Sequence, residues 1–225
     1  MTPPDDTVIR DAATVILWQH GPSGPEVLMG QRGSSAAFMP DKFVFPGGAI
    51  DAGDVAVSLR GLPDPTCLRR LAIESDAALV PALLAGAIRE VWEETGLILG
   101  RPGNWTAPTP DWESFAATGH APSAENFTYV FRAITPPGRT RRFDARFFLV
   151  PAGAVRGDAS DFSRACDELR HLQWIPLTEV RRFDLPFITT VVLAELAPLI
   201  GRSGQPASVP FCRNDDVISG ITRLG

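Results

Sequence analysis

Glutamates 90, 93 and 94 occupy positions i, i+3 and i+4 of the segment AIREVWEETGL, residues 87–97. The spacing predicts a helix over Ala82–Thr95, with Gly96 as its stop signal, and puts the three carboxylates on one face. Like charges at these spacings repel, and they lie toward the helix C-terminus, where the macrodipole also disfavours anions. A bound cation reverses the sign of both penalties. Mg²⁺ suits such a set, because it takes oxygen ligands and is usually held by a few carboxylates together with water and substrate phosphates. The same pattern has a second reading, a solvated acidic helix face.

The elements around this helix must present it to a ligand. Phe43-Val44-Phe45 reads as a short strand running into Pro46-Gly47-Gly48, where glycine permits close backbone approach and exposes carbonyls. Ala13–His20 and Glu26–Gln31 flank GPSGP and predict a hairpin. Phe127–Ile134, Ala145–Val150 and His171–Ile175 read as further strands. A mixed helical segment runs from Thr66 to Leu79, and Leu185–Ile200 reads as a C-terminal core helix. The Pro-rich stretch 100–122 predicts a loop with a short helix. Strands before, between and after the helices predict a layered α/β or α+β domain.

Composition bounds the function. With 225 residues, 44% hydrophobic and 21% charged, the chain reads as one globular core with decorations. Its net charge of −5 gives no general attraction to nucleic acid or to an anionic membrane. An anionic substrate therefore needs a local cluster of cations. Cys67, Cys166 and Cys212 show neither metal-ligand spacing nor a disulfide framework, which predicts free thiols in a reducing cytoplasm. The N-terminus has no basic and apolar leader pattern, and no apolar run reaches the roughly 20 residues of a membrane helix.

The residues then resemble a known family. The Nudix box reads G-x(5)-E-x(7)-R-E-U-x-E-E-x-G-U, with U a bulky aliphatic residue. Arg89, Glu90, Val91, Glu93, Glu94, Gly96 and Leu97 match its second half without a gap. Gly48, within FPGGAIDAGD, matches its start, and the sixth residue after it is Asp54, where the family has Glu. The arginine arrives about 27 residues late, so an insertion splits the box. A split box with FMPDKFVFPGG before it and RFDARFFL after it resembles the branch that holds coenzyme A diphosphatases. Arg32, closing VLMGQR, fits the coenzyme A signature upstream of the box, although the further arginines of that signature are absent.

This resemblance implies an α/β/α sandwich around a mixed sheet, with a helical insertion inside the box. It implies one domain over residues 10–200, the insertion at about 55–81, and a C-terminal extension, 201–225, packed on or near it. It implies a hydrolase of the phosphoanhydride bond in a nucleoside-diphosphate-linked small molecule, with coenzyme A or an acyl-coenzyme A as the first expectation. An ADP-ribose or dinucleotide pyrophosphatase and a non-catalytic metabolite sensor are the alternatives. Glu90, Glu93 and Glu94 would hold Mg²⁺ or Mn²⁺, with a carbonyl at Gly47 or Gly48 as an extra ligand. Glu93 or Glu90 would accept a proton from water, and Arg89 would orient a box carboxylate. Glu168, beside Asp167 and just before LQWIP, is the candidate base outside the box. Arg139, Arg141, Arg142 and Arg146 form the basic concentration, and Arg142, Arg146 and Arg32 are the candidates for gripping phosphate. Homodimers are frequent in the family, so one is expected here by analogy. Trp105, Trp112 and Phe127 read as core, and the three histidines as structural or surface residues.

Overall fold

The computed structural model describes residues 8–202, 204–215 and 217–225; residues 1–7, read above for a leader, lie outside them. The elements run β1 (Ile9–Gly21), β2 (Gly24–Arg32), β3 (Phe43–Val44), β4 (Gly47–Ala49), α1 (Pro65–Leu71), α2 (Val80–Thr95), β5 (Gly100–Pro102), α3 (Glu113–Ala116), β6 (His120–Pro122), β7 (Thr128–Ile134), β8 (Arg142–Pro151), β9 (Leu169–Pro176), α4 (Phe187–Leu196), β10 (Val209–Asn214) and β11 (Ser219–Leu224). Among the described residues nine strands form one mixed sheet in the order β11-β10-β7-β8-β1-β2-β3, with β4 also pairing β1 and β9 pairing β2. β1 runs parallel to β8 from Ile9 opposite Arg142 to Trp18 opposite Pro151. The small β5–β6 ladder was not foreseen, because its prolines mask it as loop.

Alternation along β1 decides the layers. Ala13, Val15 and Leu17 face a core built with α1, α2 and Phe115 of α3, while Ile16 faces a second core built with α4. Phe148 and Val150 of β8 join the first core, and Phe147 and Leu149 the second. The result is the expected α/β/α sandwich. The insertion is helical as expected, carrying α1 and short 3₁₀ turns at Ala52–Ala56 and Ala77–Leu79. The C-terminal residues do more than pack on the domain. β10 pairs in parallel with β7, and β11 closes that edge of the sheet.

The basic concentration has a different job from the one its sequence implies. Arg142 and Arg146 are each 1% exposed. Arg142 donates to the carbonyls of Thr135 and Asn214, tying the β7–β8 turn to the C-terminal strand. Arg146 donates to Asp11, to the Asp144 carbonyl and to Ser75 Oγ. Arg132, beside it on β7, pairs with Asp144 at 2.6 Å and donates to the carbonyls of Ile73 and Glu74. A bulge between Tyr129 and Phe131 puts Arg132 on the same face as Arg146. These arginines bolt the 73–75 turn of the insertion onto the sheet, where Glu74 has φ of 50°. Expectation of a phosphate grip at Arg142 and Arg146 is thereby corrected: both side chains are buried and donate to protein acceptors, which leaves no face open to a substrate.

Breaking such a pair from one side strands a buried charge. Asp144→Asn is expected to lower the unfolding free energy by about 3 kcal/mol in urea titration. A loss below about 1 kcal/mol would mean that the cluster behaves as a surface ion pair.

Candidate active site

α2 starts with Pro81 in its first turn and ends at Gly96, whose φ of 73° is left-handed and whose N–H donates to the Trp92 carbonyl. The helix is buried along almost its whole length between sheet and insertion. Glu90 is 9% exposed and Glu94 1%, so the solvated-face reading fails for both. Glu93 is the outer member, its side chain 39% exposed.

Arg89 organises these acids. Nε and Nη2 donate to the two oxygens of Asp54 at 3.0 and 3.1 Å, and Nη1 donates to Glu90 and Glu93 at 3.0 Å each. Nη2 also donates to the Ala49 carbonyl, so all five N–H groups of the guanidinium are used. Burial works against its charge, but Asp54, Glu90 and Glu93 outweigh burial and hold it protonated. Asp54, which stands where the family box has Glu, is fully buried and sits where the split box rejoins in space. It also accepts from the Asp51 N–H and from the Trp112 indole N–H. Spacing from Gly48 was the signal for Asp54. Trp112, 58 residues further on, carried no signal in the sequence.

The Pro-Gly-Gly turn closes the other side. β4 pairs with β1, Gly48 opposite Ala13 and Gly47 opposite Thr14. A side chain at Gly47 would strike the Ala13 carbonyl oxygen at 2.5 Å, and one at Gly48 would lie 2.6 Å from the Glu90 carboxyl carbon. The Gly47 N–H donates to Glu94 Oε2 at 2.7 Å, while Glu94 Oε1 is buried without a hydrogen-bond partner. Burial pushes the Glu90 carboxyl up to about 7, against the pull of Arg89 and with the push of Glu93. Burial and the Glu90 charge together raise Glu94 well above the usual carboxylate range. Burial raises Glu93 as well.

Glu168 arrives by a separate route. The Cys166 N–H donates to the Glu93 carbonyl, and Arg164 packs against Gly96, so the 158–168 loop docks on the end of α2. β9 then pairs with β2, and Arg32 Nη2 meets Glu168 Oε1 at 2.8 Å. Glu168 is close enough for its charge to raise both Glu90 and Glu94. Of the residues expected at the site, Arg89, Glu90, Glu93, Glu94, Gly48, Arg32 and Glu168 therefore come together; Arg142 and Arg146 do not.

Among the described residues no three acidic, histidine or cysteine side chains converge ready to hold a metal. The reason lies in Arg89, which draws Glu90 and Glu93 toward itself, and in Gly47, which holds one oxygen of Glu94. The donor set nevertheless fits a hard divalent cation. The carboxyls of Asp54, Glu90 and Glu93 share one guanidinium, the Glu94 oxygen is orphaned, and Gly48 leaves room for Glu90.

No protein-family profile matches the chain. A Caenorhabditis elegans protein named nudix hydrolase 7 is 28% identical over 178 residues, 74% of this chain and 51% of that protein. Acyl-coenzyme A diphosphatase NUDT19 of Gallus gallus is 34% identical over 151 residues, 52% of this chain and 39% of that protein. A solved NUDIX hydrolase from Alicyclobacillus acidocaldarius matches with a TM-score of 0.59 at 26% identity, over 86% of this chain and 96% of that one. The fold is the Nudix fold, and the chain is similar in sequence to Nudix hydrolases. Among those proteins it resembles the acyl-coenzyme A diphosphatases. It spans about half the length, or less, of the curated relatives it matches.

Gly86 marks how tightly the split box is packed. Alanine is ordinarily the better helix former by about 1 kcal/mol. A methyl group there would lie 2.6 Å from Ile50 Cδ1 and 2.9 Å from Asp54 Oδ2. Gly86→Ala is expected to destabilise the protein by about 1 kcal/mol in chemical denaturation; a gain in stability would show that Asp54 is free to move.

Proposed function

We propose that this chain is a divalent-cation-dependent hydrolase that cleaves the phosphoanhydride bond of a nucleoside-diphosphate-linked substrate, with coenzyme A or an acyl-coenzyme A as its substrate class. The observation that carries the reading is the buried Glu90–Glu94 pair, with an orphaned Glu94 oxygen against the Pro-Gly-Gly turn. A helix face selected only for solubility would leave those carboxylates in water.

Glu90, Glu93 and Glu94 would hold Mg²⁺ or Mn²⁺, together with a carbonyl at Gly48. When bound, the cation would neutralise the diphosphate and acidify an attacking water. The residues of the chain divide the remaining work. Arg89 holds Glu90 and Glu93 in register, so that their repulsion does not splay them. Glu93, at the solvent edge, and Glu168, whose side chain is 53% exposed, are the candidates to take a proton from water. Arg32 keeps Glu168 in place and, with its side chain still 19% exposed, can turn toward a substrate phosphate. Similarity to acyl-coenzyme A diphosphatases supports that substrate class, and so does Arg32 at the matching place before the box.

The test is a panel of coenzyme A, acyl-coenzyme A, ADP-ribose, NAD⁺ and dinucleoside polyphosphates with Mg²⁺ or Mn²⁺. Turnover of coenzyme A species is the expected result; binding without turnover of any member would make the chain a sensor instead. Glu94→Gln is expected to cut kcat by about 100-fold or more. The same change should raise the stability of the metal-free protein by about 1 kcal/mol, since it removes a buried, poorly paired charge. Loss of stability with kcat unchanged would remove Glu94 from the metal set.

A further inference from the structure

Trp112 lies outside the box and outside the insertion, yet its side chain ends on the Asp54 carboxylate. It is 1% exposed, and its Nε1–H donates to Asp54 Oδ1 at 3.3 Å. Oδ1 therefore receives Trp112 and Arg89 Nε, and Oδ2 receives the Asp51 N–H and Arg89 Nη2. Two donors on each oxygen fix the carboxylate against rotation. The indole is itself held in edge contacts with Trp105 at 5.6 Å and Phe115 at 5.5 Å, and Phe115 meets Trp92 of α2 at 6.0 Å. The loop before Trp112 presses on the Asp54 turn, for a side chain at Gly53 would lie 2.8 Å from Thr109 Oγ1.

The acid is an aspartate, one methylene shorter than the glutamate of the family box, and the insertion separates it from Arg89 by 35 residues of chain. Neither chain continuity nor side-chain length secures it. We infer that Trp112 is a positioning residue for the active site, acting through Asp54 and Arg89 to set the Glu90 and Glu93 carboxylates. This rests on the reading of the site as a cation-dependent hydrolase. Removing the indole N–H leaves Oδ1 with Arg89 Nε alone, three donors on the carboxylate in place of four, and loosens its setting. The guanidinium follows, and its Nη1 fork on Glu90 and Glu93 moves with it.

Trp112→Phe removes the N–H and keeps an aromatic ring. Three readouts apply: the Arg89 Nε–H resonance by ¹⁵N–¹H NMR, assigned with Arg89→Lys; Mn²⁺ affinity by calorimetry; and steady-state kinetics on the coenzyme A panel with Mg²⁺. The resonance is expected to shift and broaden, Mn²⁺ affinity to fall about fivefold, and kcat to fall about fivefold with KM within about twofold. In an Asp54→Asn background the same change should alter affinity and kcat by less than about 1.5-fold. A merely structural role would lower the melting temperature and leave the resonance, Mn²⁺ affinity and kcat of the folded protein as they were; that result overturns the inference. If Trp112→Phe does not fold, 3-benzothienylalanine at position 112, with sulfur in place of the N–H, carries the same expectations. If the unaltered protein hydrolyses nothing in the panel, the hydrolase reading fails, and the resonance and Mn²⁺ affinity still decide the role of Trp112.

Discussion

A single buried guanidinium holds the site together. Arg89 places five N–H bonds on Asp54, Glu90, Glu93 and the Ala49 carbonyl, partners drawn from three differently constrained pieces of chain. Glu90 and Glu93 share its helix, Ala49 belongs to the strand after the glycine turn, and Asp54 opens the insertion. Without that cation the acids would repel in a low-dielectric interior, where an unpaired charge costs several kcal/mol. With it they are still in excess, since Glu94 has only the Gly47 amide. Such an excess is useful only if something positive joins it, and this is the physical link between burial and the proposed metal-dependent chemistry.

A second constraint is the insertion. Splitting the box removes the short connection that would otherwise deliver its first acid to the helix. The structure restores the juxtaposition by fastening the insertion at two places. Arg132 and Arg146 seize the 73–75 turn, and Arg70 of α1 donates to the carbonyls of Pro206 and Ala207 in the C-terminal segment. The C-terminal strands are thus part of the support, with Phe211 of β10 lying under the Arg132 guanidinium at 4.3 Å. Residues that look like a phosphate grip in the sequence serve to hold the site's scaffold closed.

Local features were legible because their causes are local. The strands β1, β2, β7 and β8 follow from alternation, and α2 from its periodicity and its glycine stop. Sharing of one helix face by Glu90, Glu93 and Glu94 needs only 3.6 residues per turn. The arginines misled because a basic run has the same appearance whether its partners are phosphates or carbonyls and Asp144. The β5–β6 ladder was hidden for a similar reason, as its pairing partners lie across a long proline-rich loop.

Sequence by itself therefore determined the chemistry available on α2, the glycine turn facing it, and the principal strands around them. Tertiary structure alone decided which acids are dry, because burial depends on the glycine turn that closes on Glu90 and Glu94 and on Trp112, which closes on Asp54. It decided that Asp54 replaces the missing glutamate, that Arg32 meets Glu168, and that Trp112 reaches Asp54 across 58 residues. Those contacts join positions remote in the chain, and no periodicity or spacing encodes them. They exist because the sheet and its two cores bring the segments to one place.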